Sequence, residues 1–293
     1  MRKREIKGQI CLIVFFTIIS ALVIVPFLML VSVSLSNEKD VVEYGYRLLP
    51  LRIDLAAYRF VFKNPKQILN AYAVTAIFSI VGTFFSVLIM AMAAFPLSQK
   101  NVRGRRAVSF YLYFTMLFNG GLVPTYILLT QYLHLDNTIW VYILPGLIGV
   151  WNVFVMRTFF AGLPVEIFES MQIDGASAYN IFFKTVLPLS KPVLATMALM
   201  GFLTRWNDWY TAMLYIQDEN LISLQYLLQR IMNNLKLVQE MSSSTLSVGK
   251  AADVPSETVR MAMAVVVAGP ALFVFPFFQK YFVKGLTVGS VKG

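Results

Sequence analysis

The chain has one cysteine and one histidine, and this scarcity excludes several classes of functional site. Because Cys11 stands alone, the chain cannot form an internal disulfide or hold a metal cluster on cysteine ligands. His134 is the only histidine, which excludes a pair of histidine metal ligands and most schemes in which histidine moves a proton. The sequence also lacks a Gly-x-x-x-x-Gly-Lys-Ser/Thr motif, so it has no phosphate-binding loop of that kind for ATP.

Charged residues are scarce as well. They make up 14% of the 293 residues, whereas an average soluble domain has about a quarter. Hydrophobic residues make up 58%. Apolar runs long enough to cross a bilayer recur along the chain, and they do not alternate as the strands of a transmembrane barrel do. The composition therefore predicts an all-α membrane protein with several spans.

Six apolar runs are candidate transmembrane helices. The first, residues 10–33, exceeds the apolar core of a signal peptide, which has about 7–15 residues, so we expect it to be retained as a span. The others cover residues 69–97, 108–132, 139–160, 193–216 and 259–278. Asn119-Gly120-Gly121 interrupts the third and Pro145-Gly146 the fourth. Such breaks persist in a membrane only where protein or a cavity satisfies the freed backbone groups.

Six spans place both termini on one side, and the loop charges identify that side. The terminal side carries 14 cations and 4 anions, a net charge of +10, whereas the rest of the chain carries 11 of each. The positive-inside rule makes the terminal side cytoplasmic. The excess positive charge therefore orients the chain in a membrane, and we expect no nucleic-acid partner.

The cytoplasmic segment between the fourth and fifth spans is too apolar for a plain connector, with Phe168, Met171 and Ile173 in its first half. Gly175 lies between two short helical stretches and predicts a bend, because glycine adopts backbone angles that cost other residues energy. An exposed apolar elbow normally has a partner that covers it.

This segment carries a family resemblance. Glu169, Asp174-Gly175-Ala176, Phe182 and Leu187-Pro188-Leu189 resemble, in order and spacing, the EAA loop of ABC importer permeases. Ser170-Met171 stands where that family has Ala-Ala, which puts the fine packing of the loop in doubt rather than its role. In the family this loop is the coupling helix, which docks in a groove of the ATP-binding subunit.

The resemblance covers about residues 70–281 and extends toward both ends. Trp206-Asn207-Asp208-Trp209 and residues 278–285 resemble the carbohydrate-importer subset, the MalG-like and LplC-like permeases. Within that subset the chain is similar to the smaller permease of alginate importers.

The resemblance implies a type I ABC importer transmembrane domain at residues 70–281, with the coupling loop at 165–192. A first transmembrane helix and outer loop at 1–69 would precede it, and a cytoplasmic tail at 282–293 would follow it. The implied function is import of oligosaccharides, with acidic fragments such as those of alginate as the favoured substrate, across a bacterial cytoplasmic membrane.

The same resemblance implies partners: a second, homologous permease, two ATP-binding cassette subunits and an extracytoplasmic solute-binding protein. ATP and Mg²⁺ would bind to the ATPase subunits. We therefore expect that the chain is not itself an enzyme and that it holds no cofactor or metal ion.

The resemblance also implies roles for residues of the coupling loop. Glu169 would make a charged contact with the ATPase, and Gly175 would form the bend. Asp174 and Ala176 would set the geometry of that bend, and Phe182 would pack the loop against the spans.

A second group of candidates lies in the fifth span, about 24 Å along a helix from Pro192 at 1.5 Å per residue. Two interpretations of this group are open. Its members line the substrate path, or they form a belt at the headgroups to which the charged side chain extends. The candidates are Arg205, Trp206, Asn207, Asp208 and Trp209.

Other functions compete with sugar import. A permease of the same superfamily for another solute, such as a peptide or a phosphonate, would share the coupling loop. An ion-coupled transporter or a membrane-embedded enzyme would need buried relay or catalytic groups, and the predicted spans contain no cluster of carboxylates.

Overall fold

The computed structural model describes residues 2–244 and 256–289, which form helices and no strand. Helices in the first half of the chain are α1 (Arg2–Ser34), α2 (Glu38–Tyr44), α3 (Ala56–Val61), α4 (Pro65–Ser98), α5 (Arg105–Leu117), α6 (Leu122–Ile127) and α7 (Trp140–Ile143). Those of the second half are α8 (Val150–Ala161), α9 (Val165–Ile173), α10 (Ala178–Ile181), α11 (Leu187–Leu189), α12 (Lys191–Trp206), α13 (Tyr210–Tyr215), α14 (Leu224–Ser244) and α15 (Glu257–Gly289). Leu128–Tyr132 and Phe182–Val186 are single π-helical turns.

Three helices are long and apolar enough to cross a membrane by themselves: Leu12–Ser34, Pro65–Ser98 and Glu257–Phe278. Three further pairs of helices qualify together but are bent at a short break, by 110°, 77° and 78°. The described residues therefore hold up to six spans if each bent pair crosses once. The predicted all-α membrane fold is confirmed.

Three of the predicted spans are broken: the third and the fourth at the interruptions that the sequence indicated, and the fifth inside its apolar run. In the third, α5 ends at Leu117 and α6 begins at Leu122, after a bend of 110°. Asn119 Oδ1 accepts the Gly121 N–H at 2.8 Å, so the side chain satisfies a backbone group that the break sets free. In the fifth, the helix ends at Trp206, because Asn207 caps it, and α13 begins only at Tyr210.

The chain divides into two compact units. The first comprises Met1–Ile68 and Leu228–Pro270. In it, the strand-like bridge between Ser36 and Ile53 closes the loop that follows α1. Inside that loop, Asn37 Nδ2 donates to Asp54 Oδ2 at 2.9 Å, and Ser34 Oγ is 2.9 Å from the Tyr58 hydroxyl.

Glu38 ties α2 to the start of α15 within the first unit. Its Oε1 accepts the backbone N–H groups of Ser256 at 3.0 Å and Glu257 at 2.9 Å. Its Oε2 accepts the backbone N–H of Thr258 at 2.9 Å and the Thr258 hydroxyl at 2.6 Å. The first N–H groups of a helix have no partner inside the helix, and its N-terminal dipole favours negative charge. One carboxylate therefore caps α15 from a distant part of the chain.

The second unit comprises Leu69–Leu227 and Ala271–Gly293. Its core joins the end of α4 to the bent segment after α8 and to the first turns of α12. The buried members of this core are Met90, Ala91, Ala94, Leu97, Val153, Met156, Phe160, Phe168, Ile181, Phe182, Val186, Val193 and Met197. By contrast, every residue of α5 and α6 is at least partly exposed.

The Glu38 cap gives a test of stability. Glu38→Gln keeps the shape of the side chain but removes the charge and turns one acceptor into a donor that faces other donors. We expect the free energy of unfolding to fall by about 1–3 kcal/mol, because buried N–H groups lose a charged acceptor. The measurement is SDS-titrated unfolding in mixed micelles. Glu43→Gln, at an exposed position of the same helix, is the matched control and should change stability by less than about 0.5 kcal/mol. Equal stability of the two variants would contradict the capping role.

Candidate functional site

The elbow predicted at Gly175 is present and has a defined hydrogen-bond pattern. Gly175 has φ of +75°, a left-handed conformation that favours glycine. The Gly175 N–H donates to the Gln172 carbonyl at 3.1 Å, and the Ala176 N–H donates to the Met171 carbonyl at 2.9 Å. These two bonds form a Schellman motif, which closes α9 and turns the chain away from the helix axis.

The next helix begins immediately after the turn. Ser177 is its N-cap, and the Ser177 hydroxyl oxygen accepts the Asn180 N–H at 3.3 Å. Helix α10 then continues into the π-helical turn Phe182–Val186 and α11. Pro192 is at the second position of α12. Proline is tolerated there because the first N–H groups of a helix have no acceptor inside the helix. The predicted pair of short helices is therefore correct.

Aromatic side chains hold the elbow to the end of α4. Phe182 is 4% exposed and Phe168 is 6% exposed. Their ring centroids lie 5.6 Å and 6.4 Å from that of Phe95. Thr185 Oγ1 donates to Met171 Sδ at 2.9 Å and connects the two arms of the elbow. Phe182 therefore packs the elbow against α4.

The opposite side of the elbow is open. Glu169 and Asp174 are exposed, Ala176 is half-buried, and the apolar Ile173 at the tip is 86% exposed. Acidic groups and an apolar tip on one rigid turn suit a protein partner better than water alone, because exposed apolar surface on a fixed scaffold is usually covered. A cavity of about 400 Å³ lies beside the elbow, between the end of α4 and α9–α10.

The second group of candidates separates into buried and open residues. Arg205 is 9% exposed and Trp206 is 4% exposed. The Trp206 ring packs on Phe202, with ring centroids 5.5 Å apart, and so belongs to the core. Asn207 and Trp209 are exposed, and Asp208 is half-buried.

Arg205 is directed into the second unit. Its Nη2 donates to the Gly146 carbonyl at 2.7 Å, and its Nη1 donates to the Gly201 carbonyl at 3.3 Å. These bonds disfavour the interpretation of Arg205 as a headgroup anchor. The exposed Trp209 and Tyr210 still fit an aromatic belt.

Two cavities lie next to Arg205. One of about 550 Å³ brings together four of the five candidates: Arg205, Asn207, Asp208 and Trp209 line it, and Trp206 does not. Another of about 290 Å³ lies between α4, α8 and α12. Its polar lining residues are Thr83, Ser86, Asn152, Thr204 and Arg205.

Three glycines surround the guanidinium, Gly82, Gly146 and Gly201, and sequence reasoning did not connect any of them with Arg205. A Cβ atom at these positions would lie 2.7 Å, 3.5 Å and 3.3 Å from the nearest Arg205 side-chain nitrogen. Each glycine lies inside an apolar run of the sequence, and this position was the signal by which it could have been noticed. A single sequence does not reveal that three such glycines meet at one arginine.

Known proteins of similar sequence match nearly the whole chain. Protein LplC of Bacillus subtilis (strain 168) is 35% identical over 285 residues, which cover 97% of this chain and 95% of that protein. The polygalacturonan/rhamnogalacturonan transport system permease protein YtcP of the same organism is 36% identical over 279 residues, 95% of this chain and 96% of that protein. The arabinooligosaccharides transport system permease protein AraQ of Halalkalibacterium halodurans is 28% identical over 286 residues, 95% of this chain and 94% of that protein.

A solved structure agrees with these relatives. It is the crystal structure of a bacterial ABC transporter involved in the import of the acidic polysaccharide alginate. One of its chains matches with a TM-score of 0.80 and 31% identity, and the match covers 96% of this chain and 98% of that one. No protein-family model matches the sequence. Nearly complete coverage at this identity, by proteins of one kind, shows that the chain belongs to the carbohydrate ABC transporter permeases.

Proposed function

We propose that this chain is one of two permease subunits of an ATP-driven importer of oligosaccharides in a bacterial cytoplasmic membrane. The observation that carries the proposal is the elbow at Gly175, a rigid turn anchored by buried aromatics with an open acidic and apolar face. That geometry suits transmission of force from another protein. ATP and Mg²⁺ would bind to two separate ATPase subunits, and this chain would hold no cofactor or metal ion and catalyse no hydrolysis.

In this proposal the elbow docks on an ATPase subunit. Glu169 would contact a cation of the partner, and the tip at Ile173 would enter an apolar groove. Asp174, Gly175 and Ala176 would keep the tip rigid through the Schellman motif, and Phe182 would pass its displacement to α4. The exposed faces of α5 and α6 would meet lipid and the second permease. The outer segment 217–257, of which residues 245–255 lie outside the described structure, would receive a solute-binding protein.

The favoured substrate is an acidic oligosaccharide. One relative is named for polygalacturonan and rhamnogalacturonan, and the solved transporter is titled for the acidic polysaccharide alginate. A second relative is named for arabinooligosaccharides, so the family as a whole does not settle the choice. A permease for a peptide or a phosphonate would share the elbow but would respond to a different binding protein.

Coupling through the elbow is tested with paired glycine substitutions. Gly175→Val places a β-branched residue at φ of +75°, and Gly104→Val does the same at φ of +81° in the turn before α5. No atom lies within 4 Å of a Cβ at either site, so the two variants carry the same backbone strain without a clash. We expect Gly175→Val to lower oligosaccharide-stimulated ATPase activity of the whole complex in proteoliposomes by at least about tenfold, which corresponds to a loss of about 1.4 kcal/mol in coupling. Gly104→Val should retain most of the activity.

Two further variants sharpen that test. Gly175→Asn should retain most coupling, because asparagine tolerates the left-handed conformation better than other residues with a side chain. Glu169→Lys should lower coupling without changing the amount of complex, since Glu169 is exposed and its replacement leaves the core intact. Equal activity of Gly175→Val, Glu169→Lys and wild type would contradict the assignment of the elbow.

The orientation of the chain is tested with single cysteines on a Cys11→Ser background. Lys63→Cys lies in the turn between α3 and α4, and Asn101→Cys lies in the turn between α4 and α5, and both positions are exposed. The positive-inside rule predicts that a membrane-impermeant maleimide labels Lys63→Cys in intact spheroplasts and labels Asn101→Cys only after lysis. The reverse pattern would overturn the orientation with cytoplasmic termini.

A further inference from the structure

Arg205 lies in the wall that two cavities share. The cavity of about 550 Å³ and the cavity of about 290 Å³ have three lining residues in common, Gly146, Thr204 and Arg205. The guanidinium therefore borders both spaces at their junction within the second unit.

The charge of Arg205 is buried without an ion pair among the residues that the structure describes. Its two hydrogen bonds go to the neutral carbonyls of Gly146 and Gly201. Asp208 is near enough to attract the guanidinium electrostatically, but Asp208 Oδ1 accepts the Thr211 N–H at 3.0 Å and forms no ion pair with Arg205. Since a guanidinium has five N–H donors, three remain after these two bonds, and Nε is buried with no described partner. A charge in a membrane span is costly unless it faces a cavity or a partner.

The three glycines make room for the guanidinium and fix its position. A Cβ at residue 82 would lie 2.7 Å from Nε, closer than Cβ atoms approach other heavy atoms. At residues 146 and 201 a Cβ would lie 3.5 Å from Nη2 and 3.3 Å from Nη1. Larger residues at these places would push the group out of the shared wall.

The surroundings of the guanidinium suit a saccharide. On one side, Thr83, Asn152 and Thr204 offer hydroxyl and amide groups, and Thr83 Oγ1 is buried with no hydrogen-bond partner in the described residues. On the other side, Trp209 and Tyr210 offer aromatic faces on which sugar rings stack. These groups do not supply a counter-ion, and Asp208, which lines the same cavity, forms no ion pair with Arg205 in the described residues. A carboxylate on the ligand would supply one through the paired N–H geometry of arginine.

We propose that Arg205 is a ligand-recognition residue whose guanidinium pairs with a carboxylate of an acidic saccharide as that ligand passes between the two cavities. The inference rests on the proposed function and deepens it. It assigns the selection of negative charge to the permease itself, in addition to any selection by the binding protein.

The test compares ligands that differ only in charge. Oligogalacturonate and oligomannuronate trimers are the acidic probes, and their methyl esters are the neutral probes of the same length. ATPase stimulation and uptake are measured in proteoliposomes that hold the whole complex with one binding protein. Because the binding protein is the same in every reaction, differences between variants arise in the permease.

We expect Arg205→Gln to lower the response to the acidic trimers by at least about tenfold, because a charged hydrogen-bonded pair is lost. The response to the esters should stay within about twofold of wild type. Arg205→Lys keeps the charge but loses the fork of donors, and it should give an intermediate loss. Arg157→Gln removes another arginine of a bent span, which bonds Ser109 Oγ at 3.2 Å, and it should leave both responses unchanged.

Gly82→Ala displaces the guanidinium without removing it. This variant keeps the inference testable if the complex that carries Arg205→Gln does not assemble. We expect it to lower the acidic response selectively. Gly269→Ala is the matched control, because no atom lies within 4 Å of a Cβ at that helical position. It should leave the acidic response unchanged.

Equal losses for acidic and esterified trimers in Arg205→Gln and Gly82→Ala would overturn the inference and make Arg205 a structural residue. Unchanged responses in both variants would overturn it as well. A wild-type complex that responds only to the esters would overturn the inference and leave oligosaccharide import standing.

A wild-type complex that responds to no saccharide would overturn the proposed function. In that case, a binding measurement with the acidic trimers tests the role of Arg205 separately. Tryptophan fluorescence of the detergent-purified complex is titrated with the acidic trimers, since Trp209 lines the same cavity as Arg205. A saturable change that Arg205→Gln abolishes supports the inference, and the same curve in both proteins, or none, overturns it.

Discussion

Within an apolar membrane protein, every backbone group that leaves a helix must find another partner, and the break between α7 and α8 shows how this chain meets that requirement. Ser86 Oγ of α4 donates to the Leu147 carbonyl at 2.9 Å. Arg205 of α12 donates to the Gly146 carbonyl at 2.7 Å. The Gly149 N–H donates to Met90 Sδ at 3.4 Å. Side chains of two long helices therefore complete the backbone of a third segment.

This arrangement makes a buried cation compatible with the interior. The carbonyls of the break and of α12 are the negative ends of local dipoles, and they stabilise the guanidinium without neutralising its charge. Glycine at residue 82 of α4 then becomes a steric requirement, although glycine in the interior of a helix costs about 1 kcal/mol relative to alanine. That cost is confined to one position of α4, whereas the position of the Arg205 guanidinium depends on the absence of a side chain at residue 82.

Local sequence patterns predicted where the helices lie, but they did not predict the contacts between helices. Apolar runs located α1, α4 and α15, and Gly175 located the elbow, because both signals are local. Asn119-Gly120-Gly121 indicated the break after α5, whereas the end of α12 was missed, since the bond of Asn207 to a nearby backbone carbonyl competes with the continuing helix. The environment of Arg205 was missed for a different reason. It depends on three glycines that are far apart in sequence and meet only in the folded chain.

The same two helices that complete the break also reach the elbow. Met90 belongs both to the bonds of the break and to the core that contains Phe168 and Phe182. At the other side of that core, Val193 and Met197 lie in the first turns of α12, and Arg205 lies in its last turn. Packed interiors are close to incompressible, so a displacement of the elbow acts on α4 and α12 as on stiff rods. In an importer driven by ATPase subunits, that connection would let force applied at one end of the unit change the wall between the cavities at the other.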